Sequence, residues 1–442
     1  MFRRLGLNLS ICVTTAALLV VPATASSAAP AHATTASSTD AAKITTKHWD
    51  SLLGFLSGHW SGLIPTLSGG LALKPFGSLK TTTYTDPFGD GTAKTYEYGS
   101  WTSPVMQTGY PIDESISSWN AKTPTGTYVE TTFRGRLADG SWTKWYVMGR
   151  WTSGNNFAAG DIHRTSLDGQ GDANATVYTD TFSAKTGHEP VAYQTKVTLL
   201  RPKGRHTSPT LDGITTMTNA PLADYSGVTS TFTLGKQVEL AVPPYAQNIH
   251  SGEYPEFGGG GEVWCSPTST AMVQSYWGKG HQISPSELAK INAPNGDPQV
   301  DYAAMNTWDY TYEGSGNWPF NAAYAHPFGL DTFVTRLRSL AEVEQFIKAG
   351  IPVITSLSFT AAELPGSGYS TDGHLMVIVG FTASGDPILN DPASNSDANV
   401  RTIYPRKNFE KVWQESSRGV VYIYHPHNVR LPRNLPGVTR NW

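Results

Sequence analysis

Cys265 stands between a glycine run and a stretch with helical spacing, in GGGGEVWCSPTSTAMVQSYWG, and its type and place suit nucleophilic chemistry. A thiolate is the reactive form of cysteine, and the unpaired N–H groups at a helix start favour that negative charge. Pro267 fits a first helical turn, Ala271, Met272, Ser275 and Tyr276 recur at helical spacing, and Gly278 offers a stop. The preceding glycines let backbone approach a substrate or fold over it. Cys12 falls in an N-terminal segment expected to be removed, which leaves Cys265 without an intramolecular disulfide partner. An inert buried cysteine and an intermolecular disulfide are the competing readings.

Cysteine catalysis also needs a base and a group that orients it. The second half holds His250, His281, His326, His374, His425 and His427, and His374 is set apart by TDGHLMVIVGF, where a loop becomes an apolar strand. A hairpin bent at TASGD returns DPILNDP beside that strand, bringing Asn390 or Asp391 toward the ring. Side-chain alternation lets only one of these neighbours face it. The plainer reading makes His374 a strand-end polar residue and Asp391 a turn cap before Pro392. The histidines form no compact zinc motif, and thiol chemistry requires neither metal nor cofactor. DGQGDANA, at 168–175, alternates oxygen ligands but lacks the rest of a calcium loop, so it reads as an acidic turn.

Two kinds of scaffold surround these residues. SPSELAKI, capped by Ser284 or Ser286, and SLAEVEQFIKAG, from Ser339 to Gly350, predict helices, while IPVITSLSF, HLMVIVGF, DPILNDP and GVVYIYH predict strands. Helices followed by a largely antiparallel sheet make an α+β domain. Between Thr81 and Pro202 short strand-like runs alternate with Gly and Asp turns: VAYQTKVTLL puts Val191, Tyr193, Val197 and Leu199 on one face, and GTYVETTFRGRLADGSWTKWYVMGRWT reads as two strands turning at ADG. This spacing predicts an all-β sandwich or jelly-roll-like domain. Trp101, Trp119, Trp142, Trp145 and Trp151 are read mainly as packing, with a glycan-stacking platform as the alternative, and HWDSLLGFLSG as a short helix or apolar plug.

The expected organisation is a signal peptide over 1–33, a flexible region over 34–75, the sandwich over 76–202, a linker over 203–239, the α+β domain over 240–425 and a tail over 426–442. Arg3 and Arg4 precede an apolar stretch from Leu5 to Val21, followed by small-residue sites at Ala25, Ala29 and Ala33, the pattern of export by either the general or the twin-arginine route. The mature protein is thus expected to be extracellular, with cell-wall association open. No later apolar run has the length of a membrane anchor. A formal net charge of -3 with scattered basic residues gives no reason to expect a nucleic-acid partner.

PPYAQNIHSG, EVWCSPTSTAMVQSYWG, DGHLMVIVGF and ILNDP, in this order and spacing, resemble the papain-like bacterial cysteine peptidases related to double-glycine, or bacteriocin-leader, peptidases. The nearest likeness is to the looser family thirty-nine-like domains of secreted actinobacterial proteins, over about 240–425, with the sandwich similar to their companion domain. The resemblance implies Cys265 as nucleophile, His374 as general base, Asp391 as its orienter in preference to Asn390, and Gln247, with Asn248 as near rival, as side-chain donor of an oxyanion hole. It implies a protein or peptide substrate, with cell-wall peptide hydrolysis or amidase action, transglutaminase chemistry and a non-catalytic binding or inhibitory protein as alternatives. Trp264 and Ser266 depart from the small residues that relatives carry beside the cysteine, and Gln247 lies farther ahead of Cys265 than in papain-like enzymes. The sequence holds no ATP-binding motif, so the leader-processing role of membrane-bound relatives is not expected.

Overall fold

Residues of high strand propensity dominate the first half, and in the computed structural model, which describes residues 42–278 and 280–442, they build two antiparallel sheets. The expected signal peptide and Cys12 lie outside the described residues. One sheet runs Ala175–Tyr178, Thr181–Ala184, Glu114–Lys122, Thr210–Asn219, Leu71–Leu73, Leu63–Pro65, and Ile44–Trp49 also pairs with Thr210–Asn219. The other runs Tyr146–Trp151, Tyr128–Arg136, Ala192–Pro202, Ala93–Thr102, His59–Ser61, with Lys80–Thr85 and Met106–Gln107 at its borders. Trp49, Trp101, Trp119, Trp151, Phe133 and Phe182 fill the core of this sandwich. HWDSLLGFLSG is both helix and plug: Ser51 caps Leu52–Leu56, and Phe55 meets the Trp101 ring edge-on at 5.5 Å.

Three expected boundaries move. The region expected to be flexible at 34–75 supplies strands from Ile44 onward. The expected linker contains Thr210–Asn219, which pairs with three other strands. Its threonines read as polar, yet Thr216 and Thr218 are buried because their hydroxyls are hydrogen-bonded, to Thr195 and Tyr110. The expected tail packs back on the second half: the Asn441 amide donates to Arg336 O and Glu342 Oε2, each at 2.8 Å, and Trp442 meets Phe346 at 4.9 Å.

The second half is α+β. Its antiparallel sheet runs Leu330–Arg336, Val420–Pro426, Val353–Phe359, Thr371–Phe381, Pro387–Asn390, Arg401–Ile403. HLMVIVGF is continuously apolar because both faces are covered. Leu375, Val377 and Val379 belong to the cluster that includes Ala271, Met272 and Val273 of the Cys265–Trp277 helix. Met376 and Ile378 join the opposite cluster, with Val343 and Phe346 of the Leu340–Lys348 helix and Phe409 and Trp413 of the Arg406–Ser417 helix.

Sandwich and α+β half share one core. Phe320, on the Trp318–Ala325 helix, packs 6.0 Å from the Trp119 ring and 5.3 Å from that of Trp151. Gly149 makes room: a Cβ there would lie 2.9 Å from Phe320 and 2.7 Å from Trp119. Polar bonds cross beside it, with Thr332 Oγ1 donating to Asn120 Oδ1 at 2.6 Å and Arg336 to Glu114 at 2.7 Å.

Candidate active site

The Cys265–Trp277 helix begins at the cysteine itself. Cys265, 8% exposed, lines a cavity of about 550 Å³ together with His374. The expected hairpin forms: Thr371–Phe381 pairs with Pro387–Asn390, with Val377 opposite Asn390. Asp391 follows one step beyond that ladder and accepts from His374 Nε2 at Oδ1, 2.8 Å. This leaves Nδ1 as the ring nitrogen available to the thiol. Asn390 turns the other way, its amide donating to Val242 O at 3.1 Å and Pro243 O at 3.3 Å, so the two rivals separate as strand alternation requires.

Asp391 is saturated with donors. Its Oδ1 also accepts the Ala393 N–H at 3.0 Å, and its Oδ2 accepts the hydroxyls of Tyr369 at 2.8 Å and Tyr404 at 2.7 Å. Burial opposes its charge, but the His374 cation and the hydrogen bonds from His374, Tyr404 and Ala393 outweigh it and hold the carboxyl below the usual range. Burial likewise works against a charged His374. The Asp391 charge, its hydrogen bond and the Cys265 sulfur win, raising the imidazole to about 10. Tyr369 and Tyr404 are pushed up by burial and by the neighbouring carboxylate, so both remain donors.

Gln247 is buried on the short 3-10 turn Gln247–His250, and its N–H donates to Pro392 O at 2.8 Å, next to Asp391. It does not line the 550 Å³ cavity; its amide oxygen has no hydrogen-bond partner. The rival Asn248 donates to Asn395 at 3.2 Å. Trp264 and Ser266 also stay out of the cavity lining. The buried Trp264 indole donates to Phe257 O at 2.7 Å, and Ser266 Oγ pairs with the Tyr422 hydroxyl at 3.0 Å. Both departures from the usual flanking residues are packing residues of the helix start.

One cavity wall, from Tyr312 to Trp318, had no signal in the sequence. The sandwich holds it. Asp309 Oδ1 accepts the N–H groups of Ser166 and Thr311, both at 3.0 Å, and Thr311 Oγ1 donates to Ser166 O at 3.0 Å. Trp318 N–H donates to Asp180 Oδ2 at 2.8 Å, and the buried Arg164 guanidinium donates to Trp308 O and Met305 O. The tyrosines on Asp391 were also missed: Tyr369 and Tyr404 lie on opposite sides of His374 in sequence, with no spacing rule to mark them.

The other histidines have separate partners. His281 faces Phe328 O, His326 faces Asp212 and Leu330 O, His425 faces Pro426 O, and His427 faces Asp331. His250 lies beside Glu253 and Asp301. Asp172 of the acidic turn accepts from the Tyr146 hydroxyl and from the Asn174 and Ala175 N–H groups, the bonds of an ordinary turn. Trp101, Trp119 and Trp151 are fully buried, whereas Trp142 and Trp145 are half-buried with the Arg134 guanidinium 4.2 Å and 4.5 Å from their rings. No helix among the described residues is long and apolar enough to cross a membrane.

Residues 45–219 match the Peptidase C39 N-terminal domain, and residues 239–421 match the Peptidase C39 like family. No curated protein matches the chain. A solved structure described under the promiscuous specificity of carbohydrate-binding modules from the β-sandwich superfamily aligns with a TM-score of 0.16 at 9% identity, over 39% of this chain and 55% of that one. The two matched ranges meet the sandwich and the α+β half in turn, and the chain belongs to the peptidase C39-like family, in the type with the C39 N-terminal domain ahead of the peptidase domain.

Proposed function

We propose that this chain is an exported cysteine peptidase that hydrolyses peptide bonds through a thioester on Cys265. The observation that carries the reading is His374, bonded to Asp391 through Nε2 and facing one cavity together with Cys265, whose sulfur helps to raise the ring. In the reaction the thiol proton passes to His374 as Cys265 Sγ attacks the peptide carbonyl carbon. The Cys265 N–H at the helix start receives the developing oxyanion; Gln247, outside the cavity lining, would join it only by turning its amide inward. Imidazolium returns its proton to the leaving amine as the C–N bond breaks. Water, deprotonated by His374, then cleaves the thioester and restores the thiol. Asp391 keeps the ring oriented and stabilises its charged form.

The substrate is a protein or peptide. Exposed Glu262, Glu313 and Asp372 line the cavity, and its lining includes no lysine or arginine, which favours a basic residue near the scissile bond. Export rests on the Arg3–Arg4 and apolar pattern at the N-terminus. Of Trp101, Trp119, Trp142, Trp145 and Trp151 on the sandwich, Trp142 and Trp145 alone are not fully buried, and the Arg134 guanidinium covers one face of each, which leaves little open ring for glycan.

A thiol alkylator should label Cys265 and abolish cleavage of a proteome-derived peptide library, and Cys265→Ala should lower kcat by roughly 10⁴-fold or more. Undiminished cleavage by Cys265→Ala would overturn the reading. Purified cell walls as a parallel substrate distinguish peptidoglycan peptide from protein.

A further inference from the structure

Behind the glycine run, a second set of chemistry-bearing side chains converges that the peptidase reaction does not use. His250 ends the turn that carries Gln247, Glu253 follows it, and Asp301 comes from the Pro298–Thr307 helix. His250 Nδ1 lies 2.8 Å from Glu253 Oε2 and 3.3 Å from Asp301 Oδ2, and the three donor atoms all lie within 4.8 Å of one another. Ligands held about 2.0 to 2.2 Å from a common ion sit roughly 3 to 3.5 Å apart, so two of these separations are already near those of a coordination shell.

Asp301 supplies the second observation. It is 0% exposed, and neither carboxylate oxygen accepts a hydrogen bond: the nearest nitrogen, His250 Nδ1, stands 3.3 Å from Oδ2 and bonds Glu253 instead. A buried carboxylate left this way is costly unless a cation compensates it. His250 Nε2 is also buried without a partner, so a metal taking Nδ1 displaces one proton and one hydrogen bond, that to Glu253. Glu253 has the outer support of a metal-ligating carboxylate: the Asn295 amide donates to its other oxygen at 2.8 Å.

We propose that His250, Glu253 and Asp301 bind a divalent cation of the zinc class. Imidazole nitrogen with two carboxylate oxygens suits Zn²⁺, Co²⁺ or Mn²⁺, whereas Ca²⁺ and Mg²⁺ prefer shells of oxygen alone. Two carboxylates neutralise the ion, which leaves the imidazole uncharged. The ion ties the Gln247–His250 turn to the Pro298–Thr307 helix, which packs on the helix that begins at Cys265. Gly260 belongs to the same clamp: at φ 66°, a Cβ there would fall 1.9 Å from His250 O.

The test uses the full chain, stripped with chelator and titrated with Zn²⁺ in thermal unfolding and with Co²⁺ in visible absorption. One ion per chain, a raised Tm and a Co²⁺ spectrum without a thiolate charge-transfer band are expected, unchanged in Cys265→Ala and not reproduced by equal Ca²⁺. Asp301→Asn, isosteric and relieved of a buried charge, should fold and bind about 100-fold more weakly. The absence of saturable Zn²⁺ or Co²⁺ binding overturns the proposal, as does binding lost in Cys265→Ala or undiminished in Asp301→Asn.

Discussion

Both halves bury aromatic rings, and they differ in the ion pairs they bury. The sandwich buries aromatic rings, with Trp49 and Trp101 edge-on at 5.3 Å and Phe133 stacked on Tyr193 at 5.5 Å. The peptidase half buries ionisable groups in contact with one another: His374 with Asp391, His250 with Glu253 and Asp301, and Arg406 with Glu344. A ring at full burial is content with packing, whereas each buried charge demands a partner and so marks a place where geometry has been specified. The difference teaches where to look for chemistry. It also assigns the sandwich a supporting share, because Asp180, Arg164 and Ser166 hold the cavity wall.

The comparison breaks first at Asp391. Asp391→Ala should reduce kcat by roughly 10² to 10⁴-fold with a smaller change in KM, since it frees the ring and removes the charge that balances imidazolium. Steady-state kinetics on a cleaved peptide measure this, and a loss confined to KM would make Asp391 a substrate contact. Next is the shared core. Phe320→Ala removes a ring seated between Trp119 and Trp151 and should cost about 3 to 5 kcal/mol, with one calorimetric transition retained. Two separate transitions in the unsubstituted chain would show that the halves are energetically independent.

The smallest and sharpest effect is in pH. With His374 raised to about 10, the charged ring is present below that value and lost above it. Activity should therefore fall as pH rises through about 10, and stability from the His374–Asp391 pair, full below the ordinary imidazole value near 6.5, should fade over the same alkaline range. In Asp391→Asn the alkaline limb of kcat/KM should move down. A limb that stays in place means that another group titrates.

The candidates Cys265 and His374 stood out in the sequence because each stands where one pattern gives way to another, glycine loop to helix and loop to strand, whereas Asp391 was preferred to Asn390 on resemblance. Gln247 had no such marker and rested on resemblance alone. The α+β half was legible because its strands are plainly apolar. Thr210–Asn219 was read as linker because its buried threonines satisfy themselves across strands, a fact no local pattern carries. Tyr369, Tyr404 and the wall from Tyr312 to Trp318 escaped for the same reason, since their importance lies in partners distant along the chain. Spacing among the histidines also hid the His250 cluster, because Asp301 arrives from another helix.

The ring of Phe320 between two sandwich tryptophans has a practical side. Residues 220–237, which look like a hinge on paper, are a poor place to divide this protein. A peptidase half expressed from there would present Phe320 and the outer side of the Leu330–Arg336 strand to water, an apolar patch that invites self-association. The unit that must be produced, transplanted or engineered is the pair.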